Sequence, residues 1–181
     1  SQGWPRQLRR HGIASLRVDA PWARPGGRRI LTGRASDALT LSQTVVDERR
    51  GLDLLAGRPE IDPQRLGVVG FSLGAVASAA LVGVDHQIRC GVLASAGRRL
   101  APLMQRFGGS QYLRAMATFD PIRWIGSSTA RLLVQNGLLD RDFPPYDALA
   151  RGRAGGVMYP AGHTLDLQAV RDRERFLDQC L

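Results

Sequence analysis

A short apolar run, Leu66-Gly67-Val68-Val69, passes into Gly70-Phe71-Ser72-Leu73-Gly74 and then into the small-residue stretch from Ala75 to Val82. No other part of the chain restricts the fold as strongly. The run is too short for a helix and bounded as a buried strand is, while the small residues after it suit a closely packed helix. A strand that turns into a helix within one residue forces a strained turn at Ser72, with the serine oxygen projecting from it. In such a turn both glycines are expected to leave room for neighbouring backbone.

The rest of the chain repeats this alternation. Strands are expected at Ala14 to Val18, Leu66 to Val69, Cys90 to Ala94, Arg131 to Gln135 and Gly156 to Tyr159. Helices are expected at Pro5 to Arg10, with Gly12 as its stop, then from Ser36 or Asp37 to Leu55, Leu73 to Val82, Pro145 to Arg151 and Thr164 to Gln179. Strands separated by helical crossovers imply an α/β fold around a mostly parallel sheet of about five strands. From Gly97 to Ser128, apolar residues including Leu100, Leu103, Met104, Phe107 and Phe119 recur at roughly helical spacing. They read as packing against the sheet, with cover over a substrate site as the alternative.

With 181 residues, 44% of them hydrophobic, the chain has material for one domain, expected over residues 1–181. No apolar segment approaches the roughly 20 residues that cross a bilayer, and Ser1 to Arg10 lacks the apolar centre of a signal peptide. A cytoplasmic, non-membrane protein is the expectation. The net charge of +9 comes from 25 basic residues, all arginine, which fits codon usage in a GC-rich bacterial genome. They are scattered, the densest group being Arg24, Arg28, Arg29 and Arg34, and no aromatic interleaving or binding motif accompanies them, so no nucleic-acid partner is expected. Cys90 and Cys180 have neither the number nor the spacing of a metal site or disulfide framework, and read as buried or incidental thiols.

A serine hydroxyl needs a base to take its proton and a third group to orient that base. Among three histidines, His163 in Tyr159-Pro160-Ala161-Gly162-His163 follows the last strand and so shares the carboxyl edge of the sheet with Ser72. His11 precedes a strand, and His86 lies between the Ser72 helix and the next strand; both read as structural or surface residues. The acid is expected after a strand between Ser72 and His163. Asp140, closing Asn136-Gly137-Leu138-Leu139-Asp140, fits best; Asp142 is the alternative, and Asp147 enters a helix. The backbone N–H of Leu73 is placed to donate to an oxyanion. Trp22 and Arg24, after the first strand on the same edge, are candidate substrate contacts, Arg24 favouring an anionic group.

The ordered set Gly70-Phe71-Ser72-Leu73-Gly74, Gly137-Leu138-Leu139-Asp140 and Gly162-His163 resembles the α/β-hydrolase superfamily. Ile61-Asp62-Pro63-Gln64-Arg65-Leu66, Asp120-Pro121-Ile122-Arg123-Trp124-Ile125 and Val18-Asp19-Ala20-Pro21 bring the resemblance closest to its dienelactone-hydrolase-like and prolyl-oligopeptidase-like branch. The resemblance implies a three-layer α/β/α fold and a serine hydrolase of carboxylic esters that needs no cofactor or metal. Its partner would be a small-molecule ester, and nothing bears on oligomeric state. Peptidase activity, and a non-catalytic binding role, are the alternatives. True dienelactone hydrolases use cysteine where Ser72 stands. The family's opening strands and glycine-rich oxyanion loop are also missing, which implies an N-terminally truncated sequence with weak activity. Either that is so, or the Ala14 to Val18 and Leu66 to Val69 strands pair directly.

Overall fold

A computed structural model describes residues 4–27, 29–149 and 156–181. Four parallel strands in sequential order form the sheet: β1 (Leu66–Phe71), β2 (Ile88–Ala94), β3 (Arg131–Gly137) and β4 (Gly156–Tyr159). In register, Phe71 lies opposite Ala94, Ala94 opposite Gln135, and Gly137 opposite Tyr159. The strands therefore end together, and the loops that leave those ends converge on one edge.

Helices cover both faces, giving the α/β fold that the alternation implies. On one face lie α2 (Ser36–Ala56) and α3 (Leu73–Val84); α1 (Trp4–Arg10) and α7 (Leu167–Cys180) lie on the other. Strand β2 divides its side chains between them. Leu93 joins the α3 side, while Cys90 and Val92 pack with Leu177 and Cys180 of α7. Helix α3 is buried almost all round, from Ala75 to Val82, and its small side chains let it approach the sheet closely. Each Val or Leu fully buried in this layer contributes about 1.5–3 kcal/mol.

The expected strand at Ala14 to Val18 does not join the sheet. It neither pairs with β1 nor extends the sheet to five strands. Instead it lies against α2, where Val18 and Leu16 fill the space above Gly51; a Cβ there would come within 3.0 Å of Val18 Cγ2. Between this segment and β1 runs a cavity of about 510 Å³, lined by Ile13, Leu16, Val18, Leu66, Val68 and others, with Glu48 at its wall. None of Ser72, Asp140 and His163 lines it.

Residues 97–128 form α4 (Ala101–Met104), α5 (Ser110–Met116) and α6 (Pro121–Trp124) with a 3-10 turn at Ala117–Phe119. Leu100, Leu103, Met104, Met116 and Phe119 are buried with Leu41, Leu73 and Val76, so their spacing reflects packing. Asp120 anchors the segment by accepting the Leu100 N–H at 2.7 Å. Only a 3-10 turn, Pro145–Asp147, replaces the helix expected at Pro145 to Arg151. Gly97 bridges Ala148, and the Leu149 N–H donates to the Ala96 carbonyl, which draws the chain into extended form. The end of that expectation, like Arg28, lies outside the described residues.

Cys90 and Cys180 form a disulfide, with Cα atoms 6.3 Å apart. This corrects the reading of them as incidental thiols: two cysteines 90 residues apart carry no spacing signal, and packing α7 across β2 brings them together. Among the described residues, no helix is long and apolar enough to cross a membrane.

Candidate active site

Ser72 occupies the junction of β1 and α3 with φ 55° and ψ −125°, a left-handed conformation that costs about 1–3 kcal/mol in a residue other than glycine. Two bonds hold it there. Its N–H donates to the Ala94 carbonyl at 2.9 Å, and its own carbonyl accepts the Val76 N–H at 3.1 Å. Gly70 makes the turn sterically feasible, since a Cβ at that position would sit 2.6 Å from Ala75 Cα and 2.7 Å from Ala75 N. Gly74 has no such role: a Cβ there meets nothing within 4 Å, so only one of the two glycines makes room for backbone.

His163 lies on the loop between β4 and α7. Its Nε2 is 2.9 Å from Ser72 Oγ, and its Nδ1 is 2.9 Å from Asp140 Oδ2. An ionised carboxylate only accepts, so Nδ1 carries the proton and Nε2 is left to accept from the serine hydroxyl. Asp140 is 3% exposed. Its other oxygen, Oδ1, accepts the N–H groups of Asp142 at 2.9 Å and Phe143 at 3.0 Å, which fixes the carboxylate in rotation as well as position. The imidazole lies near two phenyl rings, with centroids at 5.2 Å for Phe71 and 6.0 Å for Phe143.

The remaining expected residues have other partners. Asp142 is half-exposed and accepts a hydrogen bond from Arg106 at 2.6 Å, while the imidazole Nδ1 is bonded to Asp140. Asp147 is buried, where desolvation raises its carboxyl above the ordinary range despite the Arg99 N–H it accepts. His11 lies 3.4 Å from Asp178, and His86 is exposed. Arg24 donates to the Asp19 carbonyl at 2.8 Å and pairs with Asp47, so its guanidinium is already engaged. Trp22 packs on the cluster that contains Leu73. Leu73 N–H opens α3, a helix of 12 residues whose dipole favours negative charge at this end.

Asp140, Asp142 and His163 hold donor atoms within 4.8 Å of one another. The donors suit a metal poorly, because Asp140 Oδ2 and His163 Nδ1 are bonded to each other and Asp142 is bonded to Arg106. Phe143, Phe71 and Ser95 were not singled out by sequence reasoning. Ser95 was accessible to it, being the first residue beyond β2 on the edge that carries Ser72.

No protein-family model matches the chain, and no curated protein matches it in sequence. Solved structures do match in shape. An acetyl xylan esterase from Paenibacillus sp. R4 superposes with a TM-score of 0.69 at 21% identity, over 94% of this chain and 63% of that one. A cold-adapted esterase from an Arctic intertidal metagenomic library gives 0.71 at 16% identity, over 99% and 75%. A puromycin-hydrolysing peptidase from Mycobacterium tuberculosis gives 0.65 at 19%, over 76% and 25%. The chain thus spans less than two thirds of the length of the acetyl xylan esterase and a quarter of the peptidase. With a parallel sheet between helical layers, a strained serine at the β1–α3 turn and these structural likenesses, the chain has the α/β-hydrolase fold.

Proposed function

We propose that the chain is a serine hydrolase of carboxylic esters, allied to the dienelactone-hydrolase-like and prolyl-oligopeptidase-like branch. The observation that carries this reading is the unbroken hydrogen-bond relay from Ser72 Oγ through His163 to Asp140. In the proposed reaction Ser72 Oγ attacks the ester carbonyl while His163 Nε2 takes its proton. The tetrahedral oxyanion receives the Leu73 N–H at the start of α3. His163 then returns the proton to the leaving alcohol, and water repeats the cycle on the acyl-enzyme. Asp140 holds the imidazole in the tautomer that can accept.

A second oxyanion donor would come from a loop after an earlier strand. Among the described residues β1 is the first strand, so that loop has no counterpart there. Loss of one donor typically lowers turnover by about 10²- to 10³-fold, and weak hydrolysis by these 181 residues is the expected result. Trp22, packed beside the Leu73 cluster, is the better placed of the two candidate substrate contacts.

Nitrophenyl esters of short acids, assayed beside blocked dipeptide amides, test the reading. Slow ester hydrolysis that Ser72→Ala abolishes supports it. Faster amide cleavage would favour a peptidase, the reading suggested by the likeness to the puromycin-hydrolysing peptidase. Failure of a fluorophosphonate to label Ser72 would favour a non-catalytic binding role.

A further inference from the structure

Ser95 follows the last residue of β2 and is fully buried, yet it has a φ of 53°, a left-handed backbone that a side chain ordinarily avoids. Its hydroxyl donates to the backbone carbonyl of His163 at 2.7 Å. Its N–H donates to the Gln135 carbonyl on β3 at 2.7 Å, and the carbonyl of the preceding residue, Ala94, accepts the Ser72 N–H at 2.9 Å. Thus two consecutive residues at one strand end bond the serine turn, the strand that leads to Asp140, and the histidine loop.

Resting on the serine-hydrolase reading above, we propose that Ser95 is a positioning residue for His163. The loop between β4 and α7 belongs to neither element, so its backbone is held by individual bonds. The Leu139 N–H donates to the Ala161 carbonyl at 2.9 Å, which secures the loop two residues before His163. Ser95 secures it at His163 itself, and from the inside of the molecule. Both imidazole bonds are 2.9 Å long, and a rotation of the His163 backbone moves the ring relative to both partners at once. The Ser95 hydroxyl sets that rotation. The strained φ is consistent with the task, because a residue continuing in β conformation would project its side chain from one face of the sheet, whereas the Ser95 hydroxyl reaches the loop at the sheet edge.

Two variants separate the hydroxyl from the backbone. Ser95→Ala removes the donor and keeps the Cβ; Ser95→Gly removes the donor and also relieves the left-handed strain. Each would be compared with the parent chain by the rate of fluorophosphonate labelling of Ser72, by kcat and KM on a nitrophenyl ester, and by the downfield Nδ1 proton of His163 in NMR. The expected result is a fall of about 10- to 100-fold in labelling and kcat for both variants, with KM little changed. Broadening or loss of the Nδ1 signal should accompany it while thermal unfolding stays cooperative. An unaltered Nδ1 signal in both variants overturns the proposal, as does full activity in Ser95→Gly, which would assign the effect to backbone alone. If the parent chain is not labelled at all, the hydrolase reading fails, and the Nδ1 signal still decides whether Ser95 holds the histidine.

Discussion

Gly137 lies directly beneath Gly162: a Cβ on Gly137 would overlap the carbonyl oxygens of both Gly162 and Ala161. The end of β3 and the histidine loop are thus in backbone contact, one residue before His163. Gly137→Ala must push the loop outward. Because the obstacle is backbone, no side-chain rotation relieves it, and a destabilisation of about 1–3 kcal/mol is expected together with a fall in kcat of about 100-fold. Urea titration and ester kinetics on the same preparation would check both halves.

The two glycines of the serine turn should behave differently. Gly70→Ala drives a methyl group into Ala75 at the first turn of α3, displacing the Ser72 turn, and should abolish labelling of Ser72. Gly74→Ala meets open space and adds a better helix former, so labelling should persist with stability unchanged or slightly raised, by up to about 1 kcal/mol. Equal loss in both variants would contradict the steric account.

Asp140 and Asp142 are two residues apart but have different partners. Asp140→Asn replaces the acceptor of the Nδ1 proton with an amide that favours the wrong tautomer, and kcat should fall by about 10³- to 10⁴-fold. Asp142→Asn disturbs an exposed contact with Arg106 and should leave kcat within about threefold, since surface ion pairs contribute about 0–1 kcal/mol. Reversal of that ranking would assign the acid to Asp142.

Glu48 governs a different property. Burial pushes its carboxyl up to about 8, opposed by the Ser78 hydroxyl at 3.3 Å. Because the raised value belongs to the folded state, its contribution to stability is fully present below the ordinary value of 4.5 and is lost as pH rises toward 8. The slope in that window is at most about 1.4 kcal/mol per pH unit. Glu48→Gln should flatten this part of the stability profile and be the more stable protein at pH 8, as denaturant titrations at several pH values would reveal.

The residues legible in sequence were those governed by local pattern. Ser72, Asp140 and His163 each follow a short apolar run, and parallel strands of similar phase bring such positions to one edge. The β1–α3 turn was legible because Gly70 and the small residues after it permit only close packing. Ala14 to Val18 has the composition of a strand, but pairing depends on what lies beside it, and here Gly51 of α2 receives its side chains. Pro145 to Arg151 failed for a similar reason, since the Gly97 bridge to Ala148 is a contact across 51 residues that no local window contains. The place of Ser95 at the sheet edge, just beyond β2, follows from the strand pattern, but its bond to a loop 68 residues away does not.

The Cys90–Cys180 bond closes the chain into a covalent ring that contains Asp140 and His163, with Ser72 on the tail outside it. A protease that cuts once within the ring cannot separate the pieces while the bridge is intact. Base and acid would remain tethered to the strand beside the nucleophile, and the cut would become visible as two fragments only after reduction.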